Sequence, residues 1–317
     1  MKLLNHIVVL CLAVVALVSC KSTEPATRAS VSSQVFFNTA LVTGISAGEA
    51  YRGFVASRAV DGGEWVSSPD DRYSTKWECS FSNGGGNIQI SQNNIYYPSG
   101  RFDIYAVGYN GTDELQTRDC VLEMAGGEVG ANDYIMAHTT VGLDGVGDVT
   151  QSLMFSHLFA QVRFELTLRL VGVDKDVDEL LESVELVDIS QLGYRLNGQI
   201  DFNQPPVGDE PWMTPSNSAM LTRGRFGVRY MVVPHSGEYA APKNATVRVK
   251  IDGRMFEVAL SGDKNMLLEQ GKCRVLRMTY DGLNISAVDM PQWSVGEEIE
   301  LGSSSIGNVD VPQWKQE

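Results

Sequence analysis

The stretch QVRFELTLRL, residues 161–170, indicates the fold class through its alternating polarity. Its apolar side chains occupy every second position: Val162, Phe164, Leu166, Leu168 and Leu170. Polar and charged residues fill the positions between them. Because successive side chains of an extended strand point to opposite faces, this period of two predicts a β-strand with one buried and one solvated face.

A hairpin pattern follows later in the chain. Residues 246–251 alternate, Asp252 and Gly253 supply a tight turn, and residues 254–260 alternate again. The same Asx-Gly dipeptide recurs at positions 61, 110, 144, 197 and 281 and predicts further turns. Many short strands with such turns favour an all-β fold of sandwiches over a helix-covered parallel sheet. Only residues 176–184 (DVDELLESV) suggest a helix, and it is short.

The N-terminus has the pattern of an export signal. Lys2 precedes an unbroken apolar run at residues 7–18, which is shorter than the about 20 residues of a membrane-spanning helix. We therefore interpret residues 1–19 as a signal peptide. The run ends in LVSC, which resembles a bacterial lipobox, so Cys20 is predicted to be the first mature residue and to carry lipid. A chance cysteine beside an ordinary signal is the alternative. Residues 20–33 are polar and predict a flexible stalk.

A segment rich in glycine and aspartate, residues 142–150, separates two strand-rich regions. It predicts an N-terminal β-sandwich at 34–148, a C-terminal β-sandwich at 149–293 and a tail at 294–317. The net charge of −14, without a basic cluster, argues against nucleic acid and against electrostatic binding to anionic lipid.

No pattern predicts an active site. Paired histidines and CxxC are absent from the sequence, and it offers no recognisable nucleophile with its base, so neither an enzyme nor a cofactor nor a transition-metal site is expected. Asp174, Asp176, Asp178 and Glu185 imitate a calcium loop. The place that requires glycine in such a loop is Glu179, so a solvated acidic connection is the favoured interpretation.

Three cysteines remain after Cys20, at Cys79, Cys120 and Cys273. Their odd number and wide spacing favour buried free thiols, with a Cys79 to Cys120 disulfide as the alternative. The aromatic residues at 95–109 suggest either core strands or a sugar-stacking platform. Their alternation in residues 101–106 favours a half-buried strand.

Four motifs taken together resemble the fimbrillin family of Bacteroidales, the Mfa-like surface lipoproteins that include type V pilus subunits. They are the lipobox at Cys20, YP at 97–98 followed by FDIYA at 102–106, LMFSHLFAQVRF at 153–164, and the closing strand ending in PQW at 285–293. The resemblance implies two tandem transthyretin-like antiparallel β-sandwich domains. It also implies an outer-membrane or cell-surface location in a fimbrium, with a role in assembly and adhesion.

In such pili an arginine-specific protease removes the first strand, and the open groove accepts a strand from the next subunit. This is β-augmentation, in which one chain completes the sheet of another. A cut after Arg52 or Arg58 would remove residues 34–42 (QVFFNTALV), an apolar segment able to occupy a groove. Arg58 precedes a turn-rich stretch and is the better candidate. The alternative is that neither arginine is processed.

The hexapeptide VDMPQW at 288–293 recurs as VDVPQW at 309–314. The first copy matches the end of the family's last strand, whereas the second lies in the tail. This tail is a candidate donor strand through its apolar residues Ile299, Leu301, Ile306, Val309 and Val311. Two alternatives are that it packs on its own sheet or frays.

A second hypothesis is a surface-anchored module that binds a glycan or a host protein and does not polymerise. Tyr96, Tyr97 and Trp212 are the candidate contact residues, since aromatic side chains offer an apolar face and a polar group.

Overall fold

The computed structural model describes residues 33–39, 48–60, 76–90, 95–97, 99–112, 115–118, 121–128, 133–143, 147–170, 175–204, 211–235, 245–260 and 267–287. Strands dominate these ranges, and the only α-helix within them is α1 (Val177–Glu182). The predicted all-β class is therefore confirmed.

The strands of the first half are β1 (Ser33–Thr39), β2 (Ala50–Ala59), β3 (Lys76–Ser82), β4 (Gly86–Asn87), β5 (Gln89–Ile90), β6 (Ile95–Tyr97), β7 (Gly100–Tyr109), β8 (Gln116–Arg118), β9 (Val121–Ala125), β10 (Gly127–Glu128) and β11 (Tyr134–Leu143). Those of the second half are β12 (Val149–Leu153), β13 (Ser156–His157), β14 (Ala160–Leu168), β15 (Glu185–Asp188), β16 (Asn197–Asp201), β17 (Thr214–Pro215), β18 (Arg229–Val232), β19 (Thr246–Ile251), β20 (Arg254–Ala259), β21 (Cys273–Tyr280) and β22 (Ile285–Ala287).

Two sheets built mainly from strands of the first half pack face to face. Sheet A has the order β12-β1-β4, with β6 also paired to β1, and sheet B has the order β13-β11-β7-β2-β3-β5. Sheet B is antiparallel throughout, whereas β1 and β12 in sheet A run parallel. The first core lies between the sheets and includes Val35, Phe37, Val55, Ile104, Ile135 and Leu153.

Sheets D and E form the second pair of layers. Sheet D has the order β10-β18-β14-β21-β22, and sheet E has the order β15-β19-β20. The stretch that predicted the fold class is β14, and it lies inside sheet D between β18 and a parallel β21. Its predicted apolar face is buried in the second core: Val162, Phe164, Leu166 and Leu168. Gln161 is also fully buried, because the opposite face is covered near the start of the strand.

Sheet C joins the two halves of the chain. Its order is β17-β16-β9-β8, and β9 of the first half pairs with β16 of the second over five residues. Sheet C covers the face of sheet B that sheet A leaves open, and a third core fills this space: it includes Phe54, Tyr105, Leu122, Met136, Ile200 and Phe202. Sheet B is therefore buried on both faces. For this reason Tyr105 is fully buried, although the alternation of β7 predicted a solvated face.

Strand pairing crosses the predicted domain boundary at 148/149 in both directions. β12 and β13 follow the boundary but pair with β1 and β11. β9 and β10 precede it but pair with β16 and β18. The division into domains at 34–148 and 149–293 thus stays a prediction, and strands on each side of it complete sheets on the other.

The predicted turns have mixed outcomes. Asp252 (φ 49°) and Gly253 (φ 75°) form the tight turn of the β19–β20 hairpin, which requires a positive φ at both positions. The turn at Asp281 is also present, with its carboxylate accepting from the backbone N–H of Leu283. The turn predicted at position 197 is wrong, because β16 runs through it. Glycine is needed at 198 for close packing, since a Cβ there would lie 2.5 Å from the Met213 sulfur. Positions 61 and 144 lie outside the described residues.

Candidate functional site

β1 fills a place between strands on both of its sides. It pairs in parallel with β12 from Val35 to Thr39, and antiparallel with β4 and β6 on the other side. Val35 and Phe37 point into the first core with exposures of 3% and 2%, whereas Phe36 between them is 46% exposed. β1 therefore directs apolar side chains at alternate positions into the first core and covers part of it.

The two candidate protease sites both lie in β2. This strand pairs with β7 over residues 52–59 and with β3 over residues 50–56. The side chain of Arg52 is exposed and lies over the Tyr109 ring at 5.9 Å. Arg58 is only 5% exposed, and its guanidinium donates to the Tyr105 hydroxyl and the Asn203 carbonyl, each at 3.4 Å. Of the two, Arg52 is the side chain that a protease could reach from solvent.

A buried polar group anchors the motif at residues 153–164. Asp133 is fully buried, and its carboxylate accepts from the Tyr51 hydroxyl at 3.0 Å and lies 3.0 Å from Nδ1 of His157. Burial raises the pKa of Tyr51, and the charge of Asp133 raises it further, so the phenol stays protonated and donates. The group ties β2 and β13 to the start of β11. Because it is shut off from solvent, we assign it to structure and not to catalysis.

A second polar group is partly open to solvent and is here named the rim cluster: Asp103, Tyr105, His138 and Trp212. The rim cluster lies at the edge of the third core. Strand register brings two of its members together, since Tyr105 of β7 is directly opposite His138 of β11. Their rings stack at 4.6 Å with an angle of 17°. The Trp212 ring meets the His138 ring edge-on at 6.1 Å. Asp103 lies 3.4 Å from Nε2 of His138 and accepts from the Thr140 hydroxyl at 2.8 Å.

Neighbouring residues fix the base of the rim cluster. Phe202 meets Tyr105 edge-on at 5.9 Å, and the Arg58 guanidinium lies 5.7 Å from the same ring. Burial raises the pKa of Tyr105. The side chains of His138 and Asp103 are 29% and 16% exposed, so solvent reaches the upper part of the cluster. The arrangement offers an aromatic surface beside a carboxylate and an imidazole.

The structure separates Tyr97 from Trp212, two of the three aromatic residues that the sequence suggested as a binding surface. Tyr97 is fully buried on the opposite face of sheet B, and its hydroxyl lies 2.6 Å from the Ser57 hydroxyl. Trp212 joins the rim cluster on the other face. The side chain of Tyr96 lies outside the described residues. The sequence did not predict His138 and Asp103 as neighbours of Trp212, because the register of β7 with β11 brings His138 and Asp103 together, and packing of the segment before β17 against the third core brings Trp212 to them.

Comparison with known proteins gives the family. The model of fimbrillin-like proteins matches residues 59–304, which is well over half of the chain. The chain belongs to the fimbrillin-like family. This membership indicates a structural protein of the cell surface whose partners are other fimbrial components. The comparison with curated proteins gave no match.

Several solved structures are similar to this fimbrillin-like chain at low sequence identity. One is a protein of Bacteroides uniformis provisionally described as a cell adhesion protein, with 14% identity and a TM-score of 0.50 over 80% of this chain and 94% of that chain. A Bacteroides ovatus protein with the same provisional description has 14% identity and a TM-score of 0.48 over 85% and 100%. The fimbrial anchor protein Mfa2 of Porphyromonas gingivalis has 13% identity and a TM-score of 0.35 over 78% and 90%.

The acidic segment of this fimbrillin-like chain forms a capped helix. Asp176 caps α1, and its Oδ1 accepts from the backbone N–H of Asp178 at 2.8 Å and of Glu179 at 3.2 Å. Leu180 is buried against the second core. No group of three metal-binding side chains occurs among the residues that the structure describes. Asp174 lies outside them.

Two of the three cysteines can be placed. Cys79 is a buried free thiol, and burial raises its pKa to about 12. Cys273 is also buried. Cys120, the lipobox with Cys20, and the tail with both PQW copies lie outside the described residues. Within the described ranges no helix has the length and apolar composition that a membrane crossing requires.

Proposed function

We propose that this chain is a structural or accessory subunit of a surface fimbrium, that it supports adhesion, and that it joins its neighbour by strand exchange without any catalytic role. The observation that carries the proposal is the position of β1, which is inserted between β12 and β6 with Val35 and Phe37 in the core. Loss of such a strand leaves an apolar groove with free backbone groups on both sides. A strand from another subunit can restore these contacts.

The protease cut that releases β1 falls after Arg52 in this proposal. A cut there removes β1 with only the first residues of β2 and leaves residues 53–59 paired with β7. A cut after Arg58 would remove nearly all of β2, an inner strand of sheet B whose Phe54 and Val55 fill two different cores. The burial of Arg58 also opposes cleavage of the folded chain. Arg58 therefore remains the second candidate.

The donor strand is the tail at residues 294–317. The place of β1 requires apolar side chains two residues apart, as at Val35 and Phe37. Ile299 with Leu301, and Val309 with Val311, have the same spacing. Either pair could enter the groove of the next subunit, and Ile306 lies between them. Such head-to-tail contacts propagate a filament and do not close a ring.

Cys20 carries the lipid that holds the subunit at the outer membrane before assembly. Several acyl chains on one terminus hold a soluble domain stably on a membrane, since each buried CH₂ contributes about 0.8 kcal/mol. Metabolic labelling with a fatty acid, followed by mass spectrometry of the N-terminal peptide, tests this step. A Cys20→Ser chain that still carries label would refute it.

Limited proteolysis tests strand exchange. The mature chain, residues 20–317 with Cys20→Ser, is treated with an arginine-specific protease and then analysed by SDS electrophoresis without boiling. We expect a ladder of SDS-resistant oligomers and an N-terminus that begins at residue 53. Arg52→Lys should abolish the ladder because it removes the cleavage site but retains the charge. Arg58→Lys is the matched control and should leave the ladder unchanged.

Three outcomes separate the alternatives. A chain truncated after Trp293 should fold and be cut but form no ladder, because it lacks the donor strand. If the parent chain is trimmed and stays monomeric, strand exchange is refuted. A ladder that disappears only in Arg58→Lys would move the cut to Arg58.

A further inference from the structure

The rim cluster holds hydrogen-bonding atoms that the described part of the chain does not use. In these residues, Nδ1 of His138, Nε1 of Trp212 and Oδ2 of Asp103 make no hydrogen bond, while the other carboxylate oxygen of Asp103 accepts from Thr140. One acceptor, one donor and one imidazole nitrogen are thus available beside two aromatic rings. Register and core packing hold the rings in place, but these three atoms contribute no hydrogen bond to the described part of the fold.

Contacts within the fold hold the rim cluster in place. Tyr105 is fully buried and forms its base, held edge-on by Phe202 from the second half of the chain. The backbone N–H of Trp212 donates to the Gln270 side chain at 3.2 Å, and its ring packs against the third core. Binding to side chains that are fixed in advance costs little conformational entropy. An exchange of ligand would therefore not require the sheets to move.

The chemistry of these groups identifies a class of ligand. An indole beside an imidazole gives an apolar surface with polar edges, which suits the C–H face of a pyranose ring. The free oxygen of Asp103 accepts from a hydroxyl, and the indole N–H donates to one. A carboxylate in a chain of net charge −14 disfavours an acidic sugar. We propose that the rim cluster binds a neutral saccharide.

Saccharide binding at the rim cluster is a separate function from assembly and does not depend on it. The rim cluster lies on the face of sheet B that sheet C borders, whereas β1 packs on the opposite face. Removal or exchange of β1 therefore leaves the rim cluster in place. A subunit with such a site could bind a glycan in the filament as well as alone.

A glycan array tests the proposal with the mature chain, residues 20–317 with Cys20→Ser. The probes are immobilised neutral oligosaccharides ending in galactose, glucose, mannose or fucose, with sialylated counterparts. We expect binding to a neutral probe, followed by titration calorimetry with that sugar in solution. Asp103→Asn and Trp212→Ala should each weaken binding at least about tenfold, the loss of a contact of about 1.4 kcal/mol.

Glu123→Gln is the matched control, since Glu123 is an exposed carboxylate on β9, outside the rim cluster. It should bind like the parent chain. Asp103→Asn retains an oxygen that accepts from Thr140, so this variant should fold. It therefore tests saccharide binding even if Trp212→Ala does not fold. The proposal is overturned if no neutral probe binds, if only sialylated probes bind, or if Asp103→Asn binds as tightly as the parent. The protease ladder would be unaffected by any of these results.

Discussion

Phe36 and Phe37 are adjacent residues of β1 with opposite environments. Substituting each in turn measures how much the insertion of β1 into the first core contributes to stability. Phe37 is 2% exposed in the first core, while Phe36 is 46% exposed. Truncation of a fully buried phenylalanine to alanine costs about 3–5 kcal/mol, because transfer energy is lost and a cavity remains. We expect Phe37→Ala to lower the free energy of unfolding by about 3 kcal/mol, the lower end of this range, since β1 is short.

Phe36→Ala is the matched control for strand propensity. Both substitutions replace a good strand former by alanine in the same strand, and at an exposed position this costs below about 1 kcal/mol. The difference between the two variants therefore reports burial alone. It should reach about 2 kcal/mol or more.

Urea unfolding of the mature chain, followed by tryptophan fluorescence and circular dichroism, measures the difference. With a slope of about 2 kcal/mol per molar urea, Phe37→Ala should shift the midpoint down by about 1.5 M, and Phe36→Ala by less than about 0.5 M. Equal shifts would refute the reasoning, because they would mean that β1 does not insert Phe37 into the core. In that case release of β1 would open no groove, and the proposed basis of strand exchange would fail.

Two further predictions concern the junction and the pH dependence. Gly126→Ala should lower the free energy of unfolding by about 1–3 kcal/mol, because a Cβ there would lie 2.4 Å from the Met231 carbonyl oxygen and 2.8 Å from that of Leu196. Gly142→Ala is the control: open space surrounds this residue, so the substitution should be neutral in the same thermal melt. Burial, together with the charge of Arg274, lowers the pKa of His235 to about 4. Between pH 6.5 and 4 the unfolded chain therefore binds more protons than the folded chain, and stability falls as the pH falls. The loss should be about 1–2 kcal/mol after allowance for partial exposure, and His235→Gln should reduce it; an unchanged slope would contradict the assignment.

Local pattern was sufficient to predict the strands, and the reason is periodicity. Burial of one face forces apolar residues into every second position, so β14 and the β19–β20 hairpin could be recognised without knowledge of their neighbours. The same rule fails where both faces are covered. The alternation of β7 predicted that Tyr105 is solvated, but Tyr105 is buried because sheet C covers it.

Turn dipeptides predicted geometry only where the backbone was free to turn. Asp252 and Gly253 adopt positive φ in a hairpin. Asn197 and Gly198 have the same composition but lie in β16, since pairing with β9 determines their conformation and Met213 occupies the space of a side chain at 198. Tertiary contacts outweigh a local preference of about 1 kcal/mol.

The sequence by itself determined the all-β class, the short helix α1 and the resemblance to fimbrillins, because these depend on residues close together in the chain. Only the tertiary structure decided that sheet C joins the two halves, that Arg58 is buried while Arg52 is exposed, and that Asp103, His138 and Trp212 meet. These features depend on strand register and on which sheet covers which face. Pairings between distant strands depend on side-chain packing in all three cores together, so no single segment of the sequence predicts them.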